Sequence, residues 1–201
     1  MTTEERRKRR AGGVLSLLSP LSAVFSISGA VALRPHPDFP PTAHTGGFGE
    51  PTCRACHQGE ALNAPGGTLR LEGVPRPWRP GRAYRLTVTL RRDTLARAGF
   101  ELAARFSPGG APAGVIIPYD TLLTTVTRDS VSGVPYAHHT RRGTRIEGAV
   151  ARWTLLWTAP LSGTNDVTFN VAAVAANDDN SNLGDLVYAA TGTAPAARPR
   201  R

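Results

Sequence analysis

From residue 68 onward the chain alternates. Tyr84, Leu86, Val88 and Leu90 are apolar, and Arg85, Thr87, Thr89 and Arg91 between them are polar. That period of two gives a strand one buried and one wet face. Similar runs recur at 100–106, 114–117, 122–127, 149–157, 167–174 and 186–190. Turn formers such as Ser107-Pro108-Gly109-Gly110 and the stretches 160–164 and 177–184 separate them. The pattern predicts an all-β fold, an antiparallel immunoglobulin-like sandwich of about seven or eight strands over residues 68–192, with a basic tail at 193–201. Helical periodicity is almost absent, apart from a turn near 93–98. Trp153 and Trp157 stand four apart on one run, so both face one side, with Phe169 and Tyr188 as further core aromatics rather than electron relays.

Residues 33–67 are different. They are rich in Pro, Gly, Thr and His and lack apolar periodicity, so they cannot make a core alone. A prosthetic group must serve as their core, or the sandwich must cover them. This segment holds the chain's only two cysteines, in Cys53-Arg54-Ala55-Cys56-His57. C-x-x-C-H is the attachment signature of c-type haem. Two thiols three apart can each add to a porphyrin vinyl group, and the next imidazole then reaches the iron as proximal ligand. The expected cofactor is one covalently attached haem c. A thioredoxin-like dithiol belongs in a βαβ context, whereas loops flank this motif. A zinc site needs a further Cys or His pair at short spacing, and there is no third cysteine.

Covalent haem attachment requires export, and the sequence carries an export pattern. Residues 4–10 read E-E-R-R-K-R-R, residues 11–33 carry no charge, and Ala30-Val31-Ala32 is a small-residue cleavage site. The reading is a signal peptide over 1–32, with an uncleaved membrane anchor as the alternative, and a periplasmic or extracytoplasmic location. Cleavage removes five basic and two acidic residues, lowering the formal net charge from +9 to +6. Every remaining cation is Arg, with no basic run or aromatic-interleaved stripe, so nucleic acid is excluded as a partner. A moderately positive face suits haem propionates and a redox protein with an acidic docking surface, in a membrane-associated complex or free.

The order T-G-G-F-G-E-P-T-C-R-A-C-H (45–57), P-G-R-A-Y-R-L-T-V-T (80–89), G-F-E-L (99–102), A-H-H-T (137–140), W-T-L-L-W-T-A-P (153–160), V-T-F-N (167–170) and N-D-D-N-S-N-L-G-D (177–185) resembles the bacterial choice-of-anchor V family. Its domains are similar to the reelin N-terminal (Reeler) sandwich. The resemblance spans nearly all of 44–191 and implies an exported β-sandwich, often with a C-terminal sorting signal. This chain departs from that pattern by ending A-P-A-A-R-P-R-R.

Met1 is the only methionine and leaves with the signal peptide, which excludes His/Met ligation. His139, at the family's H-T position, is the first candidate for the sixth ligand. His44 and His138 are alternatives, His36 reads as linker, and an open site is the remaining option. Bis-imidazole ligation lacks the thioether that raises the potential and leaves no vacancy for substrate, so it points to electron transfer. Arg141 and Arg142 can pair with propionates, or stand in water as ordinary surface cations. The 177–185 stretch packs three Asp and three Asn around Gly184, but its spacing misses the calcium-loop pattern and a polar hairpin end is expected. No carboxylate pair, Ser-His-Asp order or phosphate loop marks an enzyme; an open-site peroxidase or sensor is the exception. The expectation is an exported monohaem cytochrome. The rival is a recognition or assembly subunit whose sandwich binds partners while the haem is structural or part of an electron wire.

Overall fold

The computed structural model describes residues 40–197. The leader expected over 1–32, His36 and the end of the basic tail lie outside the described residues. Nine strands form among the described residues: β1 (Gly67–Glu72), β2 (Ala83–Arg92), β3 (Arg97–Ser107), β4 (Val115–Pro118), β5 (Thr124–Arg128), β6 (Pro135–His139), β7 (Val150–Thr158), β8 (Asp166–Ala176) and β9 (Leu186–Ala194). They make a four-stranded sheet in the order β1-β2-β7-β4 and a five-stranded sheet in the order β5-β6-β3-β8-β9. Every pairing is antiparallel.

The two inner faces meet in an aromatic core. Leu86, Val88 and Leu90 of β2 and Trp153, Leu155 and Trp157 of β7 face Phe100 and Leu102 of β3 and Phe169 and Val171 of β8, all at 2% exposure or less. The Phe100 and Trp153 rings stack at 4.6 Å, and Phe169 meets Trp157 edge-on at 4.8 Å. Each indole finds a carbonyl: Trp153 Nε1 donates to Gly143 O at 2.8 Å and Trp157 Nε1 to Ala113 O at 2.9 Å. These contacts satisfy the polar edge of a buried Trp and mark both as core residues. Tyr84 is only half-buried, stacked on Trp157 at 5.7 Å.

The alternation departs from expectation where a strand is covered on both sides. β3 and β8 are buried along most of their length on both faces. Thr89 of β2, assigned to the wet face, is buried. β1 alternates half-buried and exposed residues along its whole length. β6 escapes the rule: it replaces the loop expected around His138 and His139, and all five of its residues are buried between β5 and β3, so it has no wet face to alternate with. The turn near 93–98 is shorter than expected, since Arg97 and Ala98 already belong to β3. β9 carries the sandwich past residue 192 to Ala194, and Ala196 bridges Trp78.

Residues 40–66, which lack a core of their own, are laid on the five-stranded sheet. Thr42 Oγ1 donates to Asp129 Oδ2 at 2.8 Å and the His44 N–H to Glu101 Oε2 at 2.7 Å. The Glu50 carboxylate takes the guanidinium of Arg105 and the hydroxyl of Tyr136. Gly47 presses on β8, where a Cβ would lie 2.2 Å from the Asn170 side-chain carbonyl. Farther on, Asn63 N–H donates to Val187 O at 3.0 Å and its side-chain oxygen accepts from Ala189 N–H at 2.8 Å, so it closes part of the free edge of β9. At the other end of the molecule, β4 is an outermost strand whose Val115 and Ile117 are 59% and 49% exposed. Among the described residues no helix is long and apolar enough to cross a membrane.

Candidate functional site

Thr52 starts a single 3-10 turn over Cys53–Ala55, its hydroxyl accepting from Arg54 N–H at 3.3 Å. His57 N–H donates to Cys53 O at 2.9 Å and Cys56 N–H to the same oxygen at 3.2 Å. This winding gathers two unpaired thiols and an imidazole. The β8–β9 loop holds the turn in place. Gln58 N–H donates to Asn182 O at 2.7 Å, Gly184 N–H to Gln58 O at 2.6 Å, and the Asn182 amide to Cys56 O at 2.5 Å. At the end of the same loop, Asp185 is 1% exposed and its Oδ2 lies 2.6 Å from His57 Nδ1. Gly59 makes that approach feasible, because a Cβ there would stand 2.0 Å from the Asp185 carbonyl oxygen.

Cys53, Cys56 and His57 line a cavity of about 590 Å³ at the end of the five-stranded sheet where β3 begins and β8 stops. Its volume falls among those of ligand and cofactor sites, roughly 300 to 1,000 Å³. His44, Glu101 and His139 also line it. Of the expected site residues, then, His44, Cys53, Cys56, His57, His139 and Arg141 come together. His138 and Arg142 do not line this cavity. His138 faces the other side of β6, its Nε2 2.8 Å from Thr127 Oγ1 and its Nδ1 3.0 Å from His139 O; burial lowers its pKa. Arg142 lies on the 3-10 turn Arg142–Thr144.

The two cavity imidazoles other than His57 are chemically unequal. His44 Nδ1 is 2.8 Å from Thr42 O. A carbonyl can only accept, so the proton sits on Nδ1 and the lone pair on Nε2, the tautomer of an imidazole ligand held by a backbone oxygen. The ring of His139 sits where the β6 ladder ends, with Nδ1 3.0 Å from Phe100 N and 3.2 Å from Phe100 O. Nδ1 thus lies between an amide that donates and a carbonyl that accepts, so the ring is held at Nδ1 in either tautomer. Gly99 leaves room for this ring, since a Cβ would come within 2.5 Å of Cε1.

Glu101 and Cys53 bring little charge to the cavity. Burial pushes the Glu101 carboxyl up to about 8, partly offset by the N–H groups of His44 and Ala43, so it is mostly neutral at pH 7. Its Oε1 has no hydrogen-bond partner among the described residues. The Cys53 thiol faces inward, and burial, reinforced by Glu101, pushes it up to about 12. A reactive dithiol needs the opposite, a thiol with a depressed pKa. Arg97 and Arg141 stand at the rim, Arg97 with its Nε 2.7 Å from Asp178 Oδ1. Among the described residues no group of three or more His, Cys, Asp or Glu side chains gathers to hold a bare metal ion. Sequence reasoning missed Asp185, Glu101 and Asn182. Asp185 and Asn182 belong to the N-D-D-N-S-N-L-G-D stretch, whose composition drew attention to calcium rather than to His57.

The chain matches no protein-family model and no curated protein. Among solved structures, it is similar to the human F-spondin reeler domain at 22% identity and a TM-score of 0.49, over 72% of this chain and 99% of that one. A Reelin-N domain of F-spondin gives 24% identity and a TM-score of 0.47, over 72% and 95%. A cohesin module from a Clostridium perfringens family 33 glycoside hydrolase gives 14% identity and a TM-score of 0.41, over 65% and 94%.

Proposed function

We propose that the chain is an exported monohaem c-type cytochrome that passes single electrons to or from a protein partner. The carrying observation is that one cavity collects both thiols, the adjacent imidazole and further imidazoles from His44 and His139. This donor set suits a covalently held haem and little else. Cys53 and Cys56 would hold it by thioethers: each sulfur bonds to one vinyl carbon while its hydrogen goes to the other, so nothing is oxidised. His57 would supply the proximal nitrogen, and Arg141 and Arg97 stand where propionates could be paired. The bound haem would supply a one-electron ferric/ferrous couple. His44, whose Nδ1 is committed to the Thr42 carbonyl, would present Nε2 as the sixth ligand, and His139 is its competitor. Glu101, neutral at pH 7, adds no anion beside either.

Expression with a cytochrome c maturation system tests this. The pigment should survive acid-acetone extraction and a denaturing gel, the mass should rise by one haem, and changing both Cys53 and Cys56 to Ala should abolish attachment. Extractable pigment or none at all overturns the reading. Replacing His44 by Ala should turn the iron at least partly high-spin and admit carbon monoxide; if only His139→Ala does so, the ligand assignment changes. An unmodified protein already high-spin and open to carbon monoxide would favour a sensor or peroxidase.

A second reading, a recognition or assembly subunit, draws on the outermost strand β4 with Val115 and Ile117 turned to solvent, the kind of edge on which a partner strand can add. Loss of partner capture in Ile117→Lys, with an unchanged haem spectrum, would support it.

A further inference from the structure

We infer that Asp185 is a positioning residue for His57 that holds the haem potential low. The inference rests on the haem reading above and adds the control of its potential. His57 Nδ1 lies 2.6 Å from Asp185 Oδ2. The other oxygen of Asp185 accepts from Asn177 N–H at 3.2 Å. The carboxylate is 1% exposed, while the His57 side chain keeps 22%. With Nδ1–H donated to Asp185, the lone pair is on Nε2, and His57 lines the cavity. A carboxylate behind a ligating imidazole fixes its tautomer and orientation and raises its basicity. The anion is buried, so its field is weakly screened. A stronger donor stabilises ferric iron over ferrous iron. Three contacts from the β8–β9 loop to Gln58 and Cys56 hold the pair in register.

The holoprotein with Asp185→Asn tests this. Asparagine keeps the shape and one acceptor oxygen, which can still take the His57 Nδ1–H while the charge is lost and the contact from Asn177 N–H is given up. The ferric preference should fall 10- to 100-fold, a rise in midpoint potential of about 60 to 120 mV for one electron, and the iron–histidine stretch of the dithionite-reduced protein should weaken. Asp179→Asn removes the same charge from the same loop at an exposed side chain that does not line the cavity, and should change the preference by less than tenfold. Equal shifts in the two variants, or none in Asp185→Asn, overturn the inference while the haem reading stands. Should Asp185→Asn not fold, the nitrogen-15 spectrum of the unsubstituted apoprotein decides: His57 protonated on Nδ1 supports the pairing and protonation on Nε2 overturns it. Failure of the cysteines to hold haem overturns both readings.

Discussion

In the sandwich, β2, β3, β7 and β8 put whole rows of aliphatic and aromatic side chains out of water. In residues 40–66 the only buried apolar side chain is Ala64, and the other buried residues there are Thr45 and Gly47. One region is held by apolar burial, worth about 25 cal/mol per Å². The other is held by polar groups that reach back to the sheet: Thr42 to Asp129, His44 to Glu101, Glu50 to Arg105 and Tyr136, Asn63 to β9. The difference teaches that the segment is an appendage of the sandwich surface, with no fold to fall back on when its anchors are cut. The cavity lies on that seam, with cysteines from the weak region and a floor from the strong one.

The comparison can be broken first in the core. Trp157→Ala should cost about 3 to 5 kcal/mol in a urea titration and loosen sandwich and segment together. A loss below about 1 kcal/mol would mean the aromatic core is not what holds the sheets. Glu50→Gln should come next, at roughly 3 kcal/mol, because it leaves Arg105 buried and short of its anion. Hydrogen exchange should then accelerate over 40–58 well before it does in β2 and β7. Uniform acceleration would erase the distinction between the regions.

Glu101 sharpens the seam through pH. Its folded-state pKa, about 8, lies above the ordinary 4.5, so the folded protein binds this proton more tightly than the unfolded chain does. Its contribution is complete below pH 4.5 and is lost as pH rises to 8, by up to a few kcal/mol. Glu101→Gln should flatten that decline in thermal melts across the same window. A decline that persists unchanged assigns it to other groups. The smallest effect belongs to Arg85→Ala on the outer face of β2, where the guanidinium lies 4.6 Å from the Tyr119 ring centre. It should cost no more than about 0.5 kcal/mol, and a larger loss would show that the outer face is not energetically idle.

How far these features were legible depends on range. β2 and β7 declared themselves because each buries one face against the other sheet, and that is written as alternation within ten or so neighbours. β6 hid because Pro135-Tyr136-Ala137-His138-His139 is buried throughout and its polar groups are satisfied by β3 and β5, which sequence proximity does not reveal. The thiols and His57 stood out because C-x-x-C-H is a local pattern written in five letters. Asp185 was not, standing 128 residues from the imidazole it meets, and nothing in an acidic loop states which side chain it will face. The tautomer of His44 and the seat of the His139 ring likewise depend on backbone groups of Thr42 and Phe100 brought close by folding.

The β8–β9 loop is at once the shelf on which Gln58 rests and the source of the carboxylate behind His57. Both duties fall within residues 182–185, so they cannot drift apart: a one-residue insertion there would move the shelf and turn the carboxylate away in one stroke. Substitutions at Asp185 alone keep the shelf, since Gln58 is gripped through the backbone of Asn182 and Gly184. The loop thus separates holding the turn from charging its imidazole, and related chains could lose or keep the buried carboxylate by one codon while both cysteines stay in place.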